Sequence, residues 1–396
     1  MVICKRSPGR VADRSHNAEI ALDIAAARLS FDGAKPGKIM QSLYWVLTWA
    51  CHRKCAHCYD DRFRPYVRGA LTDVVAEGQR AYQAILSNLP DDMTWTDGAG
   101  LRQPTLIVMA GGELLIDGVR EELFYPVLEA IRRRWPDAPP RLSVQTTGDV
   151  LQPEHIDAML ARGVTTIAIA SIDDYHVGMK GERKFRFMEK IRAMMADRGV
   201  REVSLGGAKS EKLKSPDPAT RPRSGEPTFL FFGAQEDLWI GELWPRGRAW
   251  ANGLSNADYR TNFCARWSGG KNFLKMHQAG SEIAIEPDGS IYPCCLKTKT
   301  PLGSLAEERL EDILESVAQL PAIQALNAGD PEGMGLASGW TREDFQARSS
   351  AVDGKGRTIS NSCLGCDRYF EEHLSGELAA LRRGRLDKKK TAQAAL

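Results

Sequence analysis

The spacing of the cysteines restricts the fold and chemistry of this chain more than any other feature of its sequence. Of nine cysteines in 396 residues, only Cys4 stands apart, and the other eight fall into two spaced groups. The first residues mix charged side chains with short apolar stretches and lack the apolar run of a signal peptide, so we expect a cytoplasmic protein. Cytosolic thiols stay reduced, and grouped thiols there usually bind metal. The sequence therefore predicts metal sites rather than disulfides.

The first group is a compact CxxxCxxC triplet, Cys51, Cys55 and Cys58, which follows an apolar stretch over 43–48. Four thiolates normally hold a [4Fe–4S] cluster, one per iron, so a set of three would leave one iron open to an outside ligand. A zinc site completed by His52 or His57 is the alternative, although structural zinc sites usually combine two separated ligand pairs. The triplet favours a reactive iron–sulfur cluster.

From residue 43 onward, short apolar runs alternate with longer stretches of helical period. This alternation predicts βα units around a parallel sheet. We expect strands at 43–48, 105–110, 141–146, 166–171, 202–205 and 228–232, and helices at 73–88, 119–134, 153–161 and 185–197. A segment rich in Pro, Ser and charge predicts a mobile loop over 209–227. The predicted fold class is α/β, with a partial (β/α)6 barrel over 41–235.

A CxxxCxxC triplet after the first strand resembles the signature of the radical SAM superfamily. The resemblance implies that the open iron is chelated by the amino and carboxylate groups of S-adenosylmethionine (SAM). It also implies that one electron from the cluster cleaves SAM to methionine and a 5′-deoxyadenosyl radical, which abstracts hydrogen from a substrate. His57 stands where this family places a ring near the adenine. An electron donor such as flavodoxin or ferredoxin is implied as a partner.

The ends of later predicted strands resemble further parts of the SAM site in this family. One segment resembles the GGE motif that receives the SAM amino group, and its residues are Gly111, Gly112 and Glu113. Small residues there would let the backbone approach a ligand closely. Leu114 replaces the Pro that usually follows, and Thr147 replaces the usual Asn of the next motif. By position, Thr146 and Ser171 would contact the methionine or ribose of SAM.

Three polar residues follow the fourth strand of the predicted barrel, namely Asp173, Asp174 and His176. Parallel α/β barrels gather their catalytic residues at the carboxyl ends of the strands. We therefore expect these side chains to border the mouth of the barrel and to include a catalytic general acid or base. Turn residues that cap the next helix are the alternative.

The second cysteine group lies in the C-terminal third and consists of Cys264, Cys294, Cys295, Cys363 and Cys366. A turn at 287–289 predicts a hairpin of strands 282–286 and 290–293. The G-x4-C spacing that ends at Cys294 and the later CxxC resemble the SPASM or shorter twitch extension of radical SAM enzymes. The resemblance implies one auxiliary [4Fe–4S] cluster, with Cys295 left as a spare thiol and the ligands Cys264, Cys294, Cys363 and Cys366. Zinc is the alternative here, because CxxC also suits zinc.

The predicted organisation has five parts. They are an N-terminal extension at 1–40, a radical SAM core at 41–235, a bridging region at 236–261, a SPASM or twitch domain at 262–370 and a basic tail at 371–396. The bridging region is rich in Trp, which we expect to pack between domains, and its Gly-Arg-Ala stretch at 247–249 is expected to border the substrate. Helical period returns at 305–327, and 381–396 predicts a frayed, solvated helix.

The net charge and hydropathy exclude some functions. Fifty-three Lys and Arg against 51 Asp and Glu leave a charge of +2, which gives no reason to expect a nucleic-acid partner. No stretch approaches the roughly 18 apolar residues of a membrane span.

We expect a radical SAM oxidoreductase or maturase that acts on a small molecule or a peptide. A non-catalytic iron–sulfur electron carrier and a zinc-stabilised binding module are the alternatives.

Overall fold

The structure is a computed structural model that describes residues 42–63, 65–96, 101–203, 225–235, 238, 241–266 and 282–394. The expected N-terminal extension at 1–40 lies outside the described residues. So do residues 209–224 of the expected loop, residues 204–205 of the fifth expected strand, and two of the tryptophans, Trp239 and Trp267.

The six expected strands of the barrel all form, and they pair in parallel. In chain order the strands of this part are β1 (Ser42–Val46), β2 (Thr94–Thr96), β3 (Arg102–Pro104), β4 (Leu106–Ala110), β5 (Arg141–Thr146), β6 (Val164–Ile169), β7 (Arg201–Glu202) and β8 (Thr228–Phe231). β2 and β3 form a separate antiparallel hairpin. The parallel order is β1-β4-β5-β6-β8-β7, so the α/β fold class is confirmed.

The last two parallel strands lie in reverse chain order, with β8 inside and β7 at the edge. All four residues of β8 are buried, whereas β7 consists of two charged, half-buried residues. A strand that is buried on both faces suits the interior of a parallel sheet, and a short charged strand suits its edge. The residue types of the two strands therefore agree with their positions.

Four helices connect the parallel strands and cover the sheet. They are α1 (Arg68–Asn88), α2 (Tyr125–Arg134), α3 (Pro153–Ala161) and α4 (Arg183–Ala196), and a π-helical turn (Arg120–Phe124) leads into α2. The buried face of α2 carries Val127, Leu128 and Ile131, which recur at helical spacing and belong to the main core. Leu43 of β1 and Ile107 of β4 meet them from the sheet in the same core.

The expected hairpin near residue 287 forms and extends the same sheet. After α5 (Gly247–Ala251) and α6 (Phe263–Arg266) come β9 (Glu282–Ile285), β10 (Ser290–Tyr292) and β11 (Gly303–Ser304). β9 lies parallel to β1, and β10 and β11 continue the sheet with antiparallel pairing. Among the described residues, this sheet has nine strands. Gly289 has a φ of 84°, a left-handed conformation that glycine adopts at no steric cost.

Helices dominate the remaining described residues. They are α7 (Leu310–Val317), α8 (Pro321–Asn327), a 3-10 helix (Pro331–Ser338), α9 (Arg342–Arg348), α10 (Ser362–Tyr369) and α11 (Ser375–Ala394), with the hairpin β12 (Ser350–Val352) and β13 (Thr358–Ser360) before α10. The stretch 305–327 is two helices rather than one, because a proline suits the first position of a helix but not its interior.

The C-terminal helix is attached to the protein rather than simply solvated. Arg385 donates hydrogen bonds to Glu308 at 2.6 Å and to Ser316 at 2.6 Å, and Leu378 is buried. A π-helical turn (Phe370–Leu374) joins α10 to α11, so helix continues across residues 370 and 371, between which we placed the start of the tail. None of the described helices is long and apolar enough to cross a membrane.

Candidate iron–sulfur and SAM site

The cysteine triplet lies in a loop that leaves the carboxyl end of β1 and lines a cavity of about 270 Å³. Cys51 and Cys55 are each 8% exposed, and Cys58 is partly buried. Burial raises the pKa of Cys51 to about 12 and that of Cys58 to about 11, and binding of a metal would displace the protons of these thiols. Three thiols that face one cavity match the donor set expected for a cluster with an open iron.

The segment that resembles the GGE motif holds the cysteine loop through its backbone. Gly112 N donates to Thr48 O at 3.0 Å, and Glu113 N donates to Ala50 O at 2.8 Å. A Cβ on Gly112 would lie 2.0 Å from the carbonyl oxygen of Ala50 and 2.8 Å from the Cβ of Cys51. We expected small residues here for the approach of a ligand. In the structure, Gly112 is required first for the approach of the cysteine loop.

The Glu113 side chain is 1% exposed and joins the ends of β4 and β5. It accepts hydrogen bonds from Leu115 N, Thr146 Oγ1, Thr147 N and Thr147 Oγ1, at 2.7–3.0 Å. Burial raises the pKa of Glu113, and these hydrogen bonds act in the opposite direction. Ser171 Oγ donates to Thr147 O at 2.7 Å. The hydroxyls that we expected to contact SAM are thus engaged with the protein, where they fix the strand ends around the cavity.

His57 lines the cavity beside the triplet and is 8% exposed. Its Nδ1 is buried without a hydrogen-bond partner among the described residues. The ring packs edge-on against His176, with 4.4 Å between centroids. Burial, together with the charge of His176, lowers the pKa of His57 to about 4, so the ring is neutral at neutral pH. A neutral ring with an orphaned nitrogen next to the cysteine loop fits the expected neighbour of a bound ligand.

Asp173 orients His176 towards the cavity. The carboxylate is 1% exposed and accepts hydrogen bonds from His176 Nδ1 at 2.9 Å and from Ala234 N at 3.2 Å. Burial opposes ionisation, but the bonds from His176 lower the pKa of Asp173 to about 2. Asp174 is separate: its side chain is 53% exposed, pairs with Lys184 at 2.7 Å and does not line the cavity. The structure brings Asp173 and His176 to the site, but not Asp174.

The Gly-Arg-Ala stretch in α5 supports the cysteine loop from the other side. Arg248 N donates to Cys58 O at 2.9 Å, and Arg248 Nε donates to Cys55 O at 2.7 Å. Gly247 has a φ of 48°, and a Cβ there would lie 2.5 Å from the carbonyl carbon of Tyr59. The sequence predicted only that this stretch borders the substrate. Its backbone and Arg248 also bind the carbonyl groups of the loop that carries the triplet.

Arg246, two residues earlier, points to the second cysteine group. Its guanidinium donates to both carboxylate oxygens of Asp367, at 2.8 and 3.1 Å, and to Cys363 O at 3.3 Å. Burial raises the pKa of Asp367, and the charge of Arg246 opposes that change. A buried guanidinium beside thiols stabilises their anionic form. One short segment therefore connects the two cysteine groups.

The four cysteines that we assigned to an auxiliary cluster line one small cavity of about 20 Å³ beside Arg246. Three of them, Cys264, Cys363 and Cys366, are 9% exposed or less. Asn361 caps α10 by accepting from Cys363 N at 2.9 Å, which fixes the start of the CxxC helix. The fold thus brings together side chains from α6, from the turn after β10 and from α10.

In the described part of the chain, neither cysteine group gathers three sulfur atoms as closely as a bound zinc ion would. With Zn–S bonds of about 2.3 Å, the sulfurs of a tetrahedral zinc site lie about 3.8 Å apart. Among the residues that the structure describes, three potential ligand atoms come within 4.8 Å of one another only at His57, Asp173 and His176. No three cysteines of either group, as far as the structure describes them, satisfy this condition.

Cys295 is not part of the auxiliary set. It lines the large cavity instead and forms a hydrogen bond with Glu282, which lines the same cavity. Tyr44 and Tyr59 lie beside this pair, and Tyr44 OH donates to Gln145 Oε1 at 2.9 Å. The spare thiol of the sequence analysis therefore faces the cavity of the triplet.

Two groups of ion pairs that the sequence analysis missed fix the cysteine regions. Arg53, inside the triplet, donates to Asp149 at 3.0 Å, and Lys297 pairs with Asp60 and with Glu286, the latter at 2.7 Å. Asp149 follows the end of β5, so the strand-end rule could have identified it. Nothing in the local sequence of Asp60 or Lys297 indicates that they meet, because 237 positions separate them.

Comparison with known proteins gives one family match. Residues 277–367 match the family model of SPASM, an iron–sulfur cluster-binding domain. In a sequence search, no curated protein matches the chain. The match confirms the expected SPASM-type iron–sulfur domain in the C-terminal part of the chain, and the mostly parallel sheet that precedes it confirms the α/β fold class.

Several solved structures resemble the chain at low sequence identity. BtrN in complex with AdoMet and 2-DOIA is 14% identical, over 74% of this chain and 89% of that chain, with a TM-score of 0.41. A histidine-tagged form of anSMEcpe with bound AdoMet is 13% identical, over 86% and 98%, with a TM-score of 0.39. SuiB of Streptococcus suis bound to precursor peptide SuiA is 10% identical, over 80% and 73%, with a TM-score of 0.36.

Proposed function

We propose that this chain is a radical SAM enzyme that cleaves SAM reductively and abstracts hydrogen from a small molecule or a peptide, which it oxidises or otherwise modifies. The observation that carries the proposal is that the triplet, Cys51, Cys55 and Cys58, faces the cavity at which β4, β5 and β6 end. Bound at the two cysteine sets, iron–sulfur clusters would supply one-electron chemistry, for SAM cleavage at the triplet and for uptake of a second substrate electron at the auxiliary site. A one-electron donor such as flavodoxin or ferredoxin would serve the triplet.

The protein groups around the triplet bind and orient the reactants. Gly111 and Gly112 present backbone to the cavity, and the neutral ring of His57 is assigned to the adenine. His176, held by Asp173, is the titratable side chain that we assign to proton transfer. These groups line one cavity of about 270 Å³, in which SAM and the substrate would meet.

Anaerobic reconstitution with iron and sulfide, followed by a 5′-deoxyadenosine assay with SAM and a reductant, tests the proposal. We expect bound clusters and formation of 5′-deoxyadenosine, both reduced by Cys51→Ala. Glu121→Gln changes an exposed carboxylate outside the cavity and serves as the control. Zinc without sulfide would identify a zinc-stabilised module. Bound clusters that do not cleave SAM would identify an electron carrier.

A further inference from the structure

The large cavity has an inner end that lies away from the strand ends. Glu282, which lines it, pairs in register with Ser42, the first residue of β1, whereas the cysteine triplet follows the last residue, Val46. With a rise of about 3.3 Å per residue, four steps along β1 place Glu282 about 13 Å below the end of that strand. Cys295 and Tyr44 lie beside Glu282. This inner end therefore lies at the opposite end of β1 from the start of the cysteine loop.

The carboxylate of Glu282 has no cationic partner among the described residues. Its hydrogen bond comes from Cys295, and burial raises its pKa to about 7. Glu242 also lines the cavity; its Oε1 accepts from Thr261 at 3.3 Å, while its Oε2 is buried and unpartnered. The cavity thus contains two carboxylates that lack an ion-pair partner in the described part of the chain.

The two arginines that line the cavity are engaged elsewhere. Arg53 binds Asp149, and Arg248 donates to the carbonyl oxygens of Cys55 and Asp61. A buried carboxylate without a counter-charge is unfavourable, and a bound cation removes that cost.

We propose that the substrate carries a protonated amine and that Glu282 binds this amine at the inner end of the cavity, with Glu242 as a second carboxylate on the wall. The inference rests on the proposed function, because it assigns the substrate class of the same cavity. Cys295 is a neutral donor that holds the Glu282 carboxylate without cancelling its charge, while the neighbouring Tyr44 donates to Gln145.

Binding of matched amines and alcohols to the reconstituted holoenzyme with SAM, without reductant, tests this inference. The pairs are butylamine and butanol, benzylamine and benzyl alcohol, and 4-aminocyclohexanol and 1,4-cyclohexanediol, measured by saturation-transfer NMR. Because the ammonium group would form a charge-assisted hydrogen bond with Glu282, we expect at least one amine to bind about tenfold or more tightly than its alcohol. If the alcohols bind as tightly as the amines, or if no amine binds, the inference is wrong.

Substitutions test whether the preference for amines over alcohols comes from the carboxylate of Glu282. Glu282→Gln keeps the shape and should abolish the amine preference, whereas Glu282→Asp should retain part of it. Glu121→Gln removes an exposed carboxylate and should leave the preference unchanged. Thermal unfolding and iron content show whether each variant is folded. If Glu282→Gln does not fold, Glu242→Gln replaces it as the test and must weaken amine binding. An amine preference that survives Glu282→Gln overturns the assignment. SAM cleavage by the wild-type protein is scored separately, so failure of the amine test does not depend on failure of the proposed function.

Discussion

Gly112→Ala gives the sharpest test of how the sheet positions the triplet. A Cβ at this position would lie 2.0 Å from the carbonyl oxygen of Ala50, and real Cβ atoms essentially never approach closer than 3.0 Å, so the cysteine loop must move by at least 1.0 Å. Overpacking of this kind costs about 1–3 kcal/mol. The movement also strains the hydrogen bond from Gly112 N to Thr48 O. Metal sites tolerate errors of only about 0.2 Å in ligand distance, so Cys51 should fail to bind its iron.

The assay is iron and sulfide content after anaerobic reconstitution, together with 5′-deoxyadenosine formation. We expect Gly112→Ala to lose the cluster at the triplet and SAM cleavage but to keep the auxiliary cluster, whose ligands lie elsewhere. Gly69→Ala is the matched control, because a Cβ at Gly69 meets nothing within 4 Å and alanine favours the helix α1. Wild-type iron content and SAM cleavage in Gly112→Ala would refute the role assigned to this contact.

Three further predictions concern the second cysteine group and the inner end of the cavity. Arg246→Met should destabilise the protein by about 2 kcal/mol, because it leaves the Asp367 carboxylate unpaired, and the double variant with Asp367→Asn should recover part of that loss in thermal unfolding. Cys294→Ser should lose the iron of the auxiliary cluster, whereas Cys295→Ser should retain it; equal iron contents would contradict the ligand assignment. Folding raises the pKa of Glu282 from an ordinary value of 4.5 to about 7. Between these pH values the folded protein therefore binds more protons than the unfolded chain. The contribution of Glu282 to stability should fall as pH rises from 4.5 to 7. Glu282→Gln should flatten this dependence of the unfolding temperature on pH, and an unchanged slope would contradict the raised pKa.

The sequence predicted the elements whose signals are local. The strands β4 and β5 and the helix α3 fall where apolar periodicity placed them, since periodicity records which face of an element is buried. The hairpin at Gly289 was predicted from turn chemistry within a few residues. The position of β8 between β6 and β7 was not predicted, because the order of strands depends on pairing between distant segments.

The candidate site divides in the same way. Short spacing identified the triplet, because the ligands of a metal site must be close in space and a short loop achieves this with little chain. The auxiliary set, spread over 264–366, was implied by the resemblance to the SPASM or twitch extension. Only the structure shows the direction in which each side chain points. Asp173 and Asp174 are neighbours in sequence, yet one is buried beside His176 and the other faces Lys184 at the surface. Both residues lie in the irregular segment after β6, where side-chain direction follows no fixed period, so sequence position did not distinguish them.

By itself, the sequence determined that this protein has a triplet of cysteines after the first strand of a parallel α/β sheet and a second, SPASM-type cysteine set. Only the tertiary structure decided that Arg248 binds the loop of the triplet whereas Arg246 binds beside the auxiliary cysteines. It also decided that Cys295 lines the large cavity with Glu282 and is not part of the auxiliary set. The physical reason is separation along the chain. Arg248 meets Cys55 across 193 positions, and no local pattern of residues encodes a contact at that distance.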